Sequence, residues 1–165
     1  MTGLGSRGAG VTGSRVVVRS MVRSEFSRPP ARLVDIVAQA TIPRLSELVG
    51  RMYTMDPGIR AMGNPAITVT GVATTAKCPP GDNMGLVKAL TLVKPGDLLV
   101  VDAQGFETWC LGGYQLLRYA KDHHGLAGVI VNGLTGTATR PRQLAFPCMP
   151  VVLRPIRDPN QALAK

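Results

Sequence analysis

The residues with chemistry to offer gather at two apparent strand ends and one apparent helix start. Asp102 closes the apolar run Leu98-Leu99-Val100-Val101, and Asn132-Gly133 closes Val129-Ile130-Val131. Between them, Gly112-Gly113 precedes a helical pattern. A helix start of that kind presents free backbone N–H groups at the positive end of the helix dipole, which suits a carboxylate or a phosphate. A Gly-Gly pair also serves as a plain tight turn. Asp102 has two readings that stay open, the cap of a turn or a group facing a pocket. Asp82-Asn83 precedes a second helical pattern, a place for cap residues more than for a site. His123-His124 falls where the helix after Gly113 should end, and a cation there complements the helix C-terminus, so the pair reads as capping rather than catalysis. Cys78, Cys110 and Cys148 are odd in number, far apart and without metal-ligand spacing, and read as buried, reduced thiols. The chain has neither the Gly-x-Gly-x-x-Gly dinucleotide fingerprint nor a Walker phosphate loop.

Positioning such groups requires a scaffold, and the pattern from Pro95 to Thr137 supplies one: two β-branched runs separated by one helical stretch, the signature of a βαβ unit. In open α/β sheets small ligands bind at the carboxyl ends of the strands, where Asp102 and Asn132 are expected. Upstream, Arg32 to Gln39 reads as a helix with Leu33, Ile36, Val37 and Ala40 at i, i+3, i+4 and i+7. Pro43 opens a second short helix whose apolar stripe ends at Gly50, and Met55-Asp56-Pro57-Gly58 is a turn. Ala66 to Lys77 is β-rich and bent or bulged at Gly71. A helix is expected over Met84 to Val93, then the turn Lys94-Pro95-Gly96-Asp97 and the strand Leu98 to Val101. A loop from Ala103 to Gly112, a helix from Gly113 to Asp122 stopped by Gly125, and strands at Gly128–Val131 and Pro150–Leu153 complete an α/β chain.

With 165 residues and 45% hydrophobic content, one globular domain is expected. The net charge of +9 suggests a polyanion partner, but its distribution argues otherwise. Arg7, Arg15, Arg19, Arg23, Arg28 and Arg32 crowd the first segment against one acid, Glu25. Residues 1–29 are therefore set aside as a basic leader, a transit segment or a disordered extension, and the domain is placed at 30–165. Elsewhere the basic residues are scattered with no aromatic platform for bases, so no specific nucleic-acid interface is expected. No apolar run reaches the roughly 18 residues of a membrane-spanning helix, and a cytoplasmic protein is expected.

Several motifs in order carry a resemblance: Met55-Asp56-Pro57-Gly58-Ile59-Arg60, Pro79-Pro80-Gly81-Asp82-Asn83, Lys88-Ala89-Leu90, Pro95 through Asp102, and Gly125 through Gly133. From about Arg32 to Pro150 the chain resembles the RraA-like family, which includes regulators of ribonuclease E activity and class II 4-hydroxy-4-methyl-2-oxoglutarate aldolases. The resemblance implies an α/β, β/β/α swivelling-domain fold, assembly as a homotrimer, and a small 2-oxo acid substrate. It also implies a divalent cation, usually Mg²⁺, that stabilises the pyruvate enolate left by retro-aldol cleavage or oxaloacetate decarboxylation. The family's substrate-carboxylate quartet falls on Gly113, Tyr114, Gln115 and Leu116; its backbone donors survive here, its acidic side chain does not. Active members follow the Asp/Asn-Gly pair with an Arg-Asp motif, the arginine gripping substrate and the aspartate holding metal. Here Gly136 stands at the arginine position and Thr137 at the aspartate position. Arg140 and Arg142 are near enough to replace the arginine in part; Arg157-Asp158 is too far along to be the same motif. Members continue past the last strand, so the fold is expected to be incomplete at the C-terminus. The resemblance thus implies an aldolase and decarboxylase of impaired turnover, with a non-catalytic, protein-binding regulator or a degenerate fragment as the alternatives.

Overall fold

A computed structural model describes residues 21–62, 68–133 and 151–153. Helices α1 (Ala31–Gln39) and α2 (Ile42–Leu48) lead through a 3₁₀ turn at Arg51–Tyr53 to strand β1 (Arg60–Met62). Then come β2 (Ala73–Lys77), α3 (Met84–Leu90), β3 (Leu98–Phe106), α4 (Tyr114–His124), β4 (Gly128–Gly133) and β5 (Val151–Leu153). The sheet order is β1-β5-β4-β3-β2, with β2 to β5 mutually parallel and β1 antiparallel to β5. Two βαβ units, β2-α3-β3 and β3-α4-β4, share strand β3. This is the α/β architecture with a parallel sheet that the alternating pattern predicts.

The apolar residues of the two crossover units supply the core. Leu99, Val101, Val129 and Val131 alternate along β3 and β4 and are buried, as are Leu86, Ala89 and Leu90 of α3 and Leu117 and Ala120 of α4. That alternation presents one face of the sheet to the helices. By contrast, α1, α2 and the 3₁₀ turn contain no buried residue.

Four expectations are corrected. The β-rich run from Ala66 becomes strand only at Ala73; residues 66 and 67 lie outside the described part. Gly71 lies so close to the Gly96 carbonyl oxygen that no Cβ would fit, and pairing to β3 begins just beyond it, with Val72 O accepting the Leu98 N–H. Helix α3 ends at Leu90, where the N–H groups of Thr91 and Leu92 shift to acceptors three residues back, Lys88 O and Ala89 O. The first residues of the loop expected over Ala103 to Gly112, up to Phe106, are instead the second half of β3. Gln104 (φ 57°) and Gly105 (φ 70°) form a left-handed kink, and the strand re-pairs at Phe106 with Gly133. Finally, Cys78 is buried, but Cys110 is exposed; Cys148 lies outside the described residues.

Arg28 falls inside the segment set aside as leader, yet it is tied to the sheet. Its two guanidinium nitrogens donate to the two carboxylate oxygens of Asp97 at 2.6 and 2.8 Å.

Candidate functional site

The parallel register aligns Lys77, Asp102 and Asn132 across the carboxyl ends of β2, β3 and β4. Asp102 Oδ1 accepts two hydrogen bonds there, from the Gln104 backbone N–H at 2.9 Å and from Asn132 Nδ2 at 3.1 Å. Of the two readings of Asp102, the turn is the one these bonds describe: it closes an Asx turn that fixes the kink. Gln104 then reaches sideways, donating through Nε2 to Cys78 O at 3.0 Å, while Cys78 N–H donates to Asp102 O. The strand ends are therefore cross-linked by polar bonds. Neither Gln104 nor its bond to Cys78 stood out in the sequence, although Asp102-Ala103-Gln104-Gly105 carries a turn signature, Asp first and Gly fourth. Burial pushes the Cys78 thiol pKa up, which makes it a packing residue rather than a nucleophile.

The start of α4 follows the carboxyl end of β3 through the loop 107–113. Gly113 is its N-cap residue with extended backbone, no side chain caps the helix, and no acidic residue lies in its first turn. A Cβ on Gly113 would meet nothing within 4 Å, so space opens beside the uncapped N–H groups. Of the quartet expected to touch substrate, Gln115 is exposed and Leu116 packs against the core, and the backbone N–H groups of the first turn are available to a ligand. Nothing is described for the Tyr114 side chain. Gly136, Thr137, Arg140, Arg142 and the Arg157-Asp158 pair lie outside the described residues.

Two loops border this opening, residues 78–83 after β2 and 107–113 after β3. Asp82 Oδ1 accepts the Met84 N–H at 2.7 Å and so caps α3. Asn83, although at the N-cap position, turns its amide away and donates to Leu111 O at 2.9 Å. Trp109 Nε1 donates to Gly81 O at 3.1 Å, and the indole meets the Phe106 ring edge-on, centroids 4.7 Å apart. At the far end of α4, His123 and His124 lie 4.5 and 5.4 Å from the Tyr119 ring, beside the left-handed Gly125 that ends the helix.

The divalent cation implied by the resemblance requires several hard oxygen ligands. Among the described residues no three His, Cys, Asp or Glu side chains converge, and Oδ1 of Asp102 is already engaged twice. The described donor set does not fit such an ion, and the position where the resemblance implies a metal-holding aspartate carries the neutral Thr137.

A second polar cluster lies at the opposite, amino end of β3. Asp97 accepts hydrogen bonds from Arg28, the Thr74 hydroxyl and the Lys94 N–H. Burial alone would push its carboxyl pKa up, but these donors outweigh burial and hold it below the usual carboxylate range.

With the geometry in place, comparison with known proteins is informative. The sequence profile of the RraA-like family, Aldolase/RraA, matches residues 31–163. A Halalkalibacterium halodurans protein named "Putative 4-hydroxy-4-methyl-2-oxoglutarate aldolase" is 32% identical over 117 residues, which are 69% of this chain and 55% of that one. The chain thus spans about half the length of that relative. Among solved structures, Streptomyces coelicolor RraAS2, an unusual member of the RNase ES inhibitor RraA protein family, is 27% identical with a TM-score of 0.62. That match covers 79% of this chain and 66% of RraAS2. The RNA-processing inhibitor RraA from Thermus thermophilis shares the fold, with a TM-score of 0.56 at 24% identity over 71% of this chain and 68% of its own.

Proposed function

The chain belongs to the RraA-like family, and from that premise we propose that its strand-end site takes a 2-oxo acid by the carboxylate, as a 4-hydroxy-4-methyl-2-oxoglutarate aldolase with oxaloacetate decarboxylase side activity, and that its turnover is reduced. The observation that carries the binding half is the uncapped start of α4, with open space at Gly113, on the carboxyl-end side of the sheet. There the N–H groups of Tyr114, Gln115 and Leu116 would receive a carboxylate without any side-chain cation. Asp102, Asn132 and Gln104 keep the strand ends in register. Retro-aldol cleavage leaves an enolate, whose charge must be stabilised as it forms. Mg²⁺ is the ion the family would use for that, but Gly136 offers no cation and Thr137 only a hydroxyl. The chemical half of the site is therefore the impaired one.

Pyruvate release from 4-hydroxy-4-methyl-2-oxoglutarate and from oxaloacetate, with and without Mg²⁺, tests this reading against Gly136→Arg/Thr137→Asp. Activity that appears or rises at least about tenfold in the double variant supports an intact pocket with impaired chemistry, one charged contact being worth that much. Equal, substantial activity in both would overturn the assigned roles of positions 136 and 137.

A second reading, a non-catalytic protein-binding member, is favoured by a different observation. Leu33, Ile36 and Val37 of α1 and Ile42 and Leu48 of α2 are exposed, which leaves an apolar helical arm available to another chain. Melting temperature separates the two: it rises with pyruvate if the pocket binds, and stays flat if only the surface acts. In either reading we place the chain in a homotrimer, the family's expected assembly.

A further inference from the structure

Two hydrogen bonds join the loop after β2 to the loop after β3, which leads into α4. Asn83 donates to Leu111 O, one residue before Gly112-Gly113; Trp109 donates to Gly81 O. The fit between these loops is close: a Cβ on Gly81, already at φ 78°, would come within 2.6 Å of Trp109 Cζ2 and 3.2 Å of Phe106 Cζ. Leu111 is buried against the end of β4, where a Cβ on Gly133 would lie 3.2 Å from its Cδ1. Its carbonyl is held by Asn83 while its side chain is held by the sheet. The backbone entering α4 is therefore fixed from two sides within two residues of Gly113.

We propose that Asn83 and Trp109 are positioning residues that clasp the two loops together and so aim the first-turn N–H groups of α4. The carboxylate half of this inference rests on the function proposed above; the clasp itself does not. Neither residue is placed against substrate, and Asn83 is spent on this bond rather than on capping its own helix. An amide suits the task because its N–H donates to a carbonyl, which the isosteric carboxylate of Asn83→Asp would instead repel. Trp109 suits it by offering one N–H on a ring large enough to cover Gly81.

The protein contains one tryptophan, so its emission reports the clasp directly. We would record three readouts for wild type, Asn83→Asp, the rescuing Asn83→Gln and Trp109→Phe: tryptophan emission where the indole remains, amide exchange without ligand, and pyruvate affinity by calorimetry. Asn83→Asp should shift Trp109 emission to longer wavelength and speed exchange of the Leu117 amide, which bonds Gly113 O, by about tenfold, the usual weight of one such bond. The amides of β3 should stay as in wild type, and Asn83→Gln should restore most of the loss. Trp109→Phe, which keeps a ring but no N–H, should speed the same amide. Pyruvate affinity should fall in parallel. Unchanged emission and exchange in Asn83→Asp, or equal acceleration throughout β3 and α4, would overturn the clasp. Wild-type protein that binds no pyruvate, while the exchange result holds, would overturn the carboxylate reading and leave the clasp standing.

Discussion

At the scale of single residues, Asp97 ties distant parts of the chain together through its side chain. Its carboxylate is 2% exposed and its partner Arg28, 69 residues away, is 24% exposed. A pair so placed is worth little as an ornament and much when broken, because one charge is then left buried. Arg28→Ala should lower unfolding stability by about 2–3 kcal/mol, somewhat less than for a fully buried pair, read from urea denaturation. Its pH signature is distinctive. Asp97 is depressed in the folded protein, so its contribution is fully present above its unfolded value of about 3.9 and disappears as pH falls through the folded one. With Arg28→Ala the folded value rises, and the stability lost between about pH 5 and about pH 3 should shrink. An unchanged slope there would dismiss the pair. None of this was legible in the sequence, where Asp97 reads as a turn residue and Arg28 as part of a leader; an ion pair across 69 residues leaves no local pattern. Asp102 was legible as a strand-end polar group, and its Asx turn could have been read from the Gly three residues on. The bond from Asn83 to Leu111 could not, since it depends on how two loops meet.

At the scale of elements, β-branched runs and helix periodicity revealed the βαβ unit from Pro95 onward and the separate elements of the one before it, and the glycines show where that reading ran short. Helix α4 stops at Gly125 as its sequence suggests, with φ 63°, a conformation in which a Cβ is strained. Gly125→Ala should cost about 1 kcal/mol, as that strain alone requires, and more if Pro95, 3.2 Å from the added Cβ, cannot yield. The kink inside β3 is the feature the periodicity missed: alternation detects a strand, not a strand that breaks register and re-pairs. Gly133 shows its cost in sequence freedom, since a Cβ there would approach Ala103 Cβ to 2.8 Å and the Phe106 carbonyl to 3.3 Å. These are backbone and near-backbone atoms that cannot swing aside. Gly133→Ala should therefore destabilise by about 1–3 kcal/mol through overpacking. A neutral result in thermal unfolding would mean that β3 and β4 can part at their carboxyl ends, and the strand-end site would then lack the rigid floor assigned to it.

At the scale of the whole molecule, burial is divided unevenly. The parallel sheet and its two crossover helices hold the apolar core, whereas α1 and α2 contribute no buried side chain although Leu33, Ile36 and Val37 repeat at helical spacing. Helical periodicity foretells which face of a helix is apolar, not what covers it, so the sequence could predict these helices and not their exposure. An amphipathic helix gains most of its stability from packing. Helices this short, nine and seven residues, therefore need a surface to lie on. The proposed trimer supplies one, a second copy of the chain. Light scattering should then report three times the 17.5 kDa of the single chain. Leu33→Glu/Ile36→Glu should shift the population toward single chains, because two buried aliphatic contacts, each worth about 1.5–3 kcal/mol, would be replaced by charges. If the wild-type protein runs as a single chain, the arm is not an interface between copies, and the protein-binding reading gains the surface it requires. If it is a trimer that the double variant leaves intact, the contacts between copies lie elsewhere. The exposed arm would then be open to another partner even in the assembled protein.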